Sequence, residues 1–136
     1  MYSLWCFCRD REKLLCMHNN RKAKLKKYSM QAERLKILLE YLHEDPTDPF
    51  NIYGVAMEYI NHDKQKALSY LEKLLTEHPE YVPTYYHAAA LLAENEEFER
   101  AESVYKKGIE IAHHQQKTKA YDELKRAYRM FLDELE

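Results

Sequence analysis

The sequence contains little glycine and proline: two and four residues among 136. Because hairpin turns and barrel corners depend on these residues, their scarcity argues against a β-sandwich or a β-barrel. No apolar run approaches the roughly 18 residues that a membrane-spanning helix needs. Leu, Ala, Glu and Lys dominate instead, and these residues favour helix. The hydrophobic fraction of 46% is sufficient for the core of one domain.

Cysteine is confined to the beginning of the chain, at Cys6, Cys8 and Cys16. An odd number of cysteines, with none in the remaining residues, argues against a disulfide-stapled secreted fold. The first eight residues are also too short an apolar stretch for a signal peptide and lack its basic start. We therefore expect a cytoplasmic protein.

Charge is divided unevenly along the chain. Residues 1–29 contain eight Lys or Arg and two Asp or Glu, whereas residues 30–136 contain thirteen and twenty-one. This asymmetry predicts a basic, disordered N-terminal extension over residues 1–29 and an acidic domain over residues 30–136. An alternative is that translation starts at Met30, in which case the extension is not native.

The extension carries two motifs with possible chemistry. Cys6, Cys8, Cys16 and His18 nominally supply four zinc ligands, but structural zinc sites pair ligands two to four residues apart around a turn, and no Gly or Pro marks one here. We therefore predict no metal site and no cofactor. The basic run over residues 21–27 could attract nucleic acid or an anionic surface, but it has no interleaved aromatic residues for base stacking.

From residue 31 onward, apolar residues recur at helical spacing, which predicts six helices joined by short turns. Leu35, Leu38 and Leu42, for example, lie on one face of the first helix. Short polar residues precede several helices, and we expect them to act as N-caps. These residues are Asp48, Asp63 and Asn95.

The helices repeat at a fixed interval. Val55, Ala56 and Tyr59 recur 33 residues later as Ala88, Ala89 and Leu92, and Ala67, Leu71 and Leu74 recur 34 residues later as Ala101, Tyr105 and Gly108. This period divides the domain into a half-repeat helix (30–45), two repeats (48–79 and 82–113) and a capping helix (117–135).

A period of 33–34 residues with two helices per unit resembles the tetratricopeptide repeat family. The second unit matches the family pattern at Tyr85, Ala88, Ala89, Leu92, Ala101, Tyr105 and Gly108, and the first at Ile52, Val55, Ala56, Tyr59, Ala67, Leu71, Leu74 and Pro79. The chain departs from the pattern in lacking its Trp, in placing Ala where the first helix usually has Gly, and in placing Leu74 where a small residue is usual. The resemblance implies an all-α fold of antiparallel helix-turn-helix repeats, stacked as a short right-handed solenoid.

Helix packing gives these positions a physical role. Two helices cross closely only where one presents a small side chain, and large aromatic side chains then fill the space between successive units. We predict this structural role for Ala56, Tyr59, Ala67, Leu71, Pro79, Tyr85, Ala89, Ala101, Tyr105 and Gly108.

The resemblance also implies a function, because the first helix of each unit lines a concave groove that binds a segment of another protein. The repeat register places Phe50, Tyr53, Met57, Ile60, Tyr86, His87 and Ala90 on the groove side, and the last helix could add Asp122, Arg126 and Arg129. The Lys and Asn with which some members clamp a terminal carboxylate are absent from the corresponding first-helix positions of this chain. This favours an apolar or aromatic partner segment with basic residues to suit the acidic domain.

Enzymatic function is not predicted. Paired carboxylates for acid–base catalysis require a pocket that shifts their pKa, and the acidic clusters here are typical of solvated turns. Two glycines 54 residues apart cannot form a phosphate-binding loop. Two alternatives to a partner-binding module stay open: association with nucleic acid or an anionic surface through the extension, and a homodimer in which the groove binds a second copy.

Overall fold

The computed structural model describes residues 31–135 of the chain, of which residues 38–135 belong to one compact unit. Residues 31–44 form helix α1. It is followed by α2 (Pro49–Tyr59), α3 (Lys64–Glu77), α4 (Pro83–Glu94), α5 (Phe98–His114) and α6 (Thr118–Leu135). Over residues 31–135 the protein therefore consists of six helices and no strand, as predicted. The predictions for residues 1–29 and for a start at Met30 lie outside the described residues.

Two of the three predicted N-caps are confirmed. The Asp48 carboxylate accepts a hydrogen bond from the Phe50 amide at 3.0 Å, and the Asp63 carboxylate accepts one from the Lys66 amide at 3.1 Å. The prediction for Asn95 is wrong. Asn95 is instead the C-cap of α4, and its backbone amide donates to the carbonyls of Leu91 and Ala93. Helix α5 begins after Glu97 without a side-chain cap.

Helices α4 and α5 end in the same left-handed turn. Glu96 has a φ of 63°, and its amide donates to the carbonyl of Ala93 at 3.0 Å, while the amide of Glu97 donates to the carbonyl of Leu92 at 2.9 Å. Gln116, with a φ of 56°, occupies the equivalent position after α5. Its amide donates to the carbonyl of His113, and the amide of Lys117 donates to the carbonyl of Ala112, each at 3.0 Å. This is the Schellman arrangement, which usually has glycine at the left-handed position.

Glycine at these two positions is expected to stabilise the protein. A side chain in the left-handed region costs about 1–2 kcal/mol, which glycine avoids, although the greater freedom of glycine in the unfolded chain offsets part of the gain. We expect Glu96→Gly and Gln116→Gly each to raise the free energy of unfolding by about 0.5–1 kcal/mol in urea titrations. Asn95→Gly is the matched control, because Asn95 has a φ of −84° and should lose stability. Equal losses at positions 95 and 96 would contradict the left-handed turn.

Packing proceeds mainly between consecutive helices. α2 packs on α3, α3 on α4, α4 on α5 and α5 on α6, and α4 also contacts α6. The small residues predicted at the helix crossings, Ala56, Ala67, Ala89 and Ala101, are fully buried. Elements that contact mainly their neighbours in the chain form a stacked array of helical repeats, whose stability depends on the interfaces between units.

Tyr85 and Gly108 explain why one crossing is especially close. Tyr85 is fully buried, and its hydroxyl donates a hydrogen bond to the carbonyl of Pro79 at 2.8 Å. A Cβ atom added to Gly108 would lie 2.6 Å from the Cβ of Tyr85, a distance that real Cβ contacts do not show. Gly108 therefore allows α5 to approach α4. Among the other predicted repeat residues, Leu71 and Tyr105 are buried, and the half-buried Tyr59 packs against the core.

Candidate functional site

A cavity of about 700 Å³ opens between residues of α2, α4 and α6. α2 contributes Tyr53 to its lining. Val82, Pro83, Tyr86 and His87 line it from α4 and the residue before that helix. Because α4 contacts α6 directly, the cavity is a groove with helices on both sides rather than an open face.

Aromatic rings form the wall built by α2 and α4. The Tyr53 ring meets Tyr81 edge-on at a centroid distance of 5.5 Å and lies 5.9 Å from the His87 ring, which in turn meets Tyr86 edge-on at 5.2 Å. Burial lowers the pKa of His87 and raises the pKa of Tyr53, so both rings are held neutral near pH 7. Tyr86 is 44% exposed and presents its ring to the groove.

α6 forms the opposite wall with small and apolar side chains. Ala120, Leu124 and Ala127 follow each other at helical spacing and therefore share one face. Leu124 is buried, which anchors α6, while the two alanines leave room in the groove. Met130 completes this wall and is 58% exposed.

Three charged side chains also line the cavity: Lys117, Glu123 and Arg126. None of them forms an ion pair with another residue in the part of the chain that the structure describes. Glu123 is three residues from Arg126 and can neutralise at most one of the two cations. The lining of this cavity therefore has an excess of positive charge.

A second recess of about 370 Å³ continues the groove along the same helices. It shares Tyr86, Ala127 and Met130 with the first cavity, so the two form one surface, which we call the α4–α6 groove. Its further lining consists of Ala90, Ala93, Glu94, Phe98, Tyr105, Phe131, Glu134 and Leu135. The groove thus joins an aromatic, apolar centre to residues of both charges.

The structure brings together four of the seven residues that the sequence assigned to the groove. Tyr53, Tyr86 and His87 line the first cavity, and Ala90 lines the second recess. The other three line neither of them: Met57 and Ile60 are half-buried against the core, and Phe50 is 66% exposed elsewhere. Partner binding by this surface stays a prediction.

The contribution of α6 differs from the one expected. Of the three residues that the sequence suggested, Arg126 lines the groove, Asp122 does not, and Arg129 lies in a separate cleft between α5 and α6. The apolar face with Ala120 and Ala127 was missed. This face could have been found from the helical spacing that identified α6, if alanine had been counted among the apolar residues.

Other kinds of site find no support in the described residues. Within residues 31–135, no three His, Cys, Asp or Glu side chains are grouped as a metal ion would require. In the same range no helix combines the length and the hydropathy needed to cross a membrane.

Comparison with known proteins finds a match to the tetratricopeptide repeat family over residues 60–128. No match was found among curated proteins. A crystal structure of a tetratricopeptide repeat domain protein from Salinibacter ruber is 34% identical, covers 63% of this chain and 97% of its own, and has a TM-score of 0.61. A solution structure from the same organism is 36% identical, with coverages of 64% and 89% and a TM-score of 0.60.

A more distant structure supports the fold alone. The tetratricopeptide repeat domain of Sgt2 from Aspergillus fumigatus is 18% identical, covers 93% of this chain and 79% of its own, and has a TM-score of 0.67. The predicted architecture, an all-α solenoid of helical repeats, is therefore found in experimentally solved proteins of similar helix arrangement.

Proposed function

The chain belongs to the tetratricopeptide repeat family, and we propose that it is a protein-binding module whose α4–α6 groove receives a segment of another protein. Repeat arrays of this kind generally present extended concave surfaces to other proteins or peptides. The observation that carries the proposal is the exposure of Tyr86 and Met130 at the centre of a continuous apolar groove.

The size and lining of the groove suit a large apolar anchor. Binding pockets commonly have volumes of about 300–1,000 Å³, and the first cavity lies within this range. Tyrosine and methionine are enriched in protein interfaces, and tyrosine is frequent among the residues that dominate binding energy. An aromatic or branched aliphatic side chain of the partner would pack between the Tyr86 and Tyr53 rings and the Ala127 face of α6.

The charges near the anchor favour an acidic flank on the partner. Lys117 and Arg126 have no ion-pair partner among residues 31–135, and guanidinium groups bind carboxylates with two parallel hydrogen bonds. This differs from the basic flank that the overall charge of the domain suggested, because the local lining, rather than the net charge, lies next to a bound segment.

Peptide display tests the proposal with a defined probe. Peptides of about 12 residues would be selected on the full chain, and the strongest, labelled with fluorescein, would be titrated by anisotropy. We expect Tyr86→Ala and Met130→Ala each to weaken binding at least about tenfold, since each removes an exposed apolar contact from the centre of the groove. Selected peptides should contain an aromatic or leucine anchor beside Asp or Glu.

Phe50→Ala is the matched control, because Phe50 is an even more exposed aromatic residue that lines neither part of the groove. It should leave the affinity unchanged, and circular dichroism should show equal helicity for all variants. A peptide that binds Tyr86→Ala and Met130→Ala as tightly as the unsubstituted chain would refute the groove as the binding surface.

A further inference from the structure

The two ends of the described array are complementary halves of a repeat. The stretch 38–46 parallels residues 71–79, so α1 corresponds to a second helix of a unit, like α3. α6 follows α5 where the first helix of a next unit would stand, and no further helix packs on it within residues 31–135. Because a repeat buries its apolar surface against its neighbours, each half leaves one face uncovered by the described residues.

At the α6 end, the uncovered face is a cleft of about 400 Å³ between α5 and α6. Its apolar surface comes from Ile109, Tyr128 and Leu132, of which Leu132 is 38% exposed. The cleft shares no lining residue with the α4–α6 groove, so it is a separate surface.

Cations surround the apolar surface of this cleft. Lys106 is paired with Glu102 at 2.7 Å, and that carboxylate also accepts a hydrogen bond from the Tyr128 hydroxyl at 2.9 Å. Lys125 and Arg129, one turn apart on α6, form no ion pair with any residue that the structure describes, and the Lys125 ammonium lies over the Tyr121 ring, 5.1 Å from its centroid. The cleft therefore offers two positive charges that no described carboxylate neutralises, beside an apolar surface.

At the other end, residues 38–44 of α1 carry the opposite charge. Tyr41 is 52% exposed and the exposed Glu44 lies three residues after it, while the exposed Glu40 is four residues before Glu44, so the two carboxylates share one side of the helix. Neither glutamate forms an ion pair with another described residue. This part of α1 thus combines an exposed ring with two negative charges that no described cation neutralises.

We propose that these two faces form one contact between copies of the chain, in which residues 38–44 of one molecule dock in the α5–α6 cleft of the next. The docked helix takes the position of a second helix beside α6, which no helix within residues 31–135 occupies. Tyr41 covers Ile109 and Leu132, while the Glu40 and Glu44 carboxylates face Lys125 and Arg129. Charge complementarity of this kind fixes the partner and its register. Because the two faces differ, the contact is heterologous and either extends head to tail or closes into a ring.

Sedimentation velocity of the full chain tests this contact. The weight-average mass should rise with protein concentration up to about 1 mM and fall when salt is added, because the charged pairs lie at an exposed edge. Lys125→Glu with Arg129→Glu, and separately Glu40→Lys with Glu44→Lys, should each weaken self-association at least about tenfold. Lys107→Glu with Lys119→Glu makes the same charge change on α5 and α6, outside both the cleft and the α4–α6 groove, and should leave self-association intact.

Mixing the two charge-reversed proteins provides the decisive measurement. Each retains one face of the natural contact, so the mixture should associate although neither protein does so alone. A mixture that stays monomeric would overturn the head-to-tail contact. A chain that is monomeric throughout, or self-association that survives both reversals, would overturn it as well.

Discussion

Replacing Gly108 with alanine is expected to destabilise the protein by about 3 kcal/mol, at the upper end of the cost of overpacking. The new methyl group would lie 2.6 Å from Cβ and 2.9 Å from Cγ of Tyr85. Neither atom can move away easily, because Cβ is fixed to the backbone of α4 and the ring is tied by its hydroxyl to the Pro79 carbonyl. Helices α4 and α5 would have to separate, and urea titration would report the loss.

The sign of this effect makes the test specific. In an ordinary helix interior, glycine to alanine gains up to about 1 kcal/mol. Gly54→Ala is the matched control, since its nearest neighbour is the Cδ2 atom of Leu38 at 3.1 Å, the end of a flexible side chain. We expect Gly54→Ala to be neutral or stabilising. A neutral Gly108→Ala would show that α4 and α5 do not cross at this glycine.

The repeat period explains why such crossings could be predicted from the sequence. Spacings of 33 and 34 residues paired Ala56 with Ala89 and Ala67 with Ala101, and all four alanines are buried. Gly108 is paired with Leu74, so only the family pattern predicted a small residue there, and neither pattern could identify the atoms that these residues contact. That Gly108 packs on Tyr85 itself depends on the angle between α4 and α5, which no local spacing encodes.

Most groove residues that the sequence predicted correctly come from the repeat register, and α6 added only Arg126. Tyr86 and His87 were assigned from their positions on a first helix, and they line the cavity. Ala120 and Ala127 were missed because α6 belongs to no complete repeat, so no equivalent positions existed for comparison. Its orientation follows from the burial of Leu124 and Phe131, which is a tertiary effect.

The turns show a second limit of sequence reasoning. Left-handed helix ends are recognised by glycine, yet Glu96 and Gln116 adopt this conformation without it. The hydrogen bonds that close α4 and α5, together with the packing of the helices that follow, compensate for the cost. A cap was therefore assigned to Asn95 on residue type alone, although the backbone uses that position to end α4.

Phe131→Ala is expected to cost about 3–5 kcal/mol, the range for removing a buried phenylalanine side chain. The Phe131 ring is 5% exposed and lies between the rings of Tyr105, Tyr128 and Phe98, at centroid distances of 5.6, 6.4 and 6.4 Å. Its loss leaves a cavity at the contact of α6 with α5. Met130→Ala is the matched control, because that adjacent side chain is 58% exposed and should change stability by less than about 0.5 kcal/mol.

The location of the loss tests the repeat character of the protein. α6 packs mainly on α5 and α4 among the described helices, whereas α3 and α4 are held from both sides. In an array stabilised by neighbouring contacts, weakening the last interface opens the last helix first. Hydrogen exchange should therefore accelerate in α6 of Phe131→Ala while α2 and α3 keep their protection. Since α6 forms one wall of the α4–α6 groove, peptide binding should fall with it. Uniform acceleration along the chain would instead indicate a single cooperative unit, in which the groove cannot open without global unfolding.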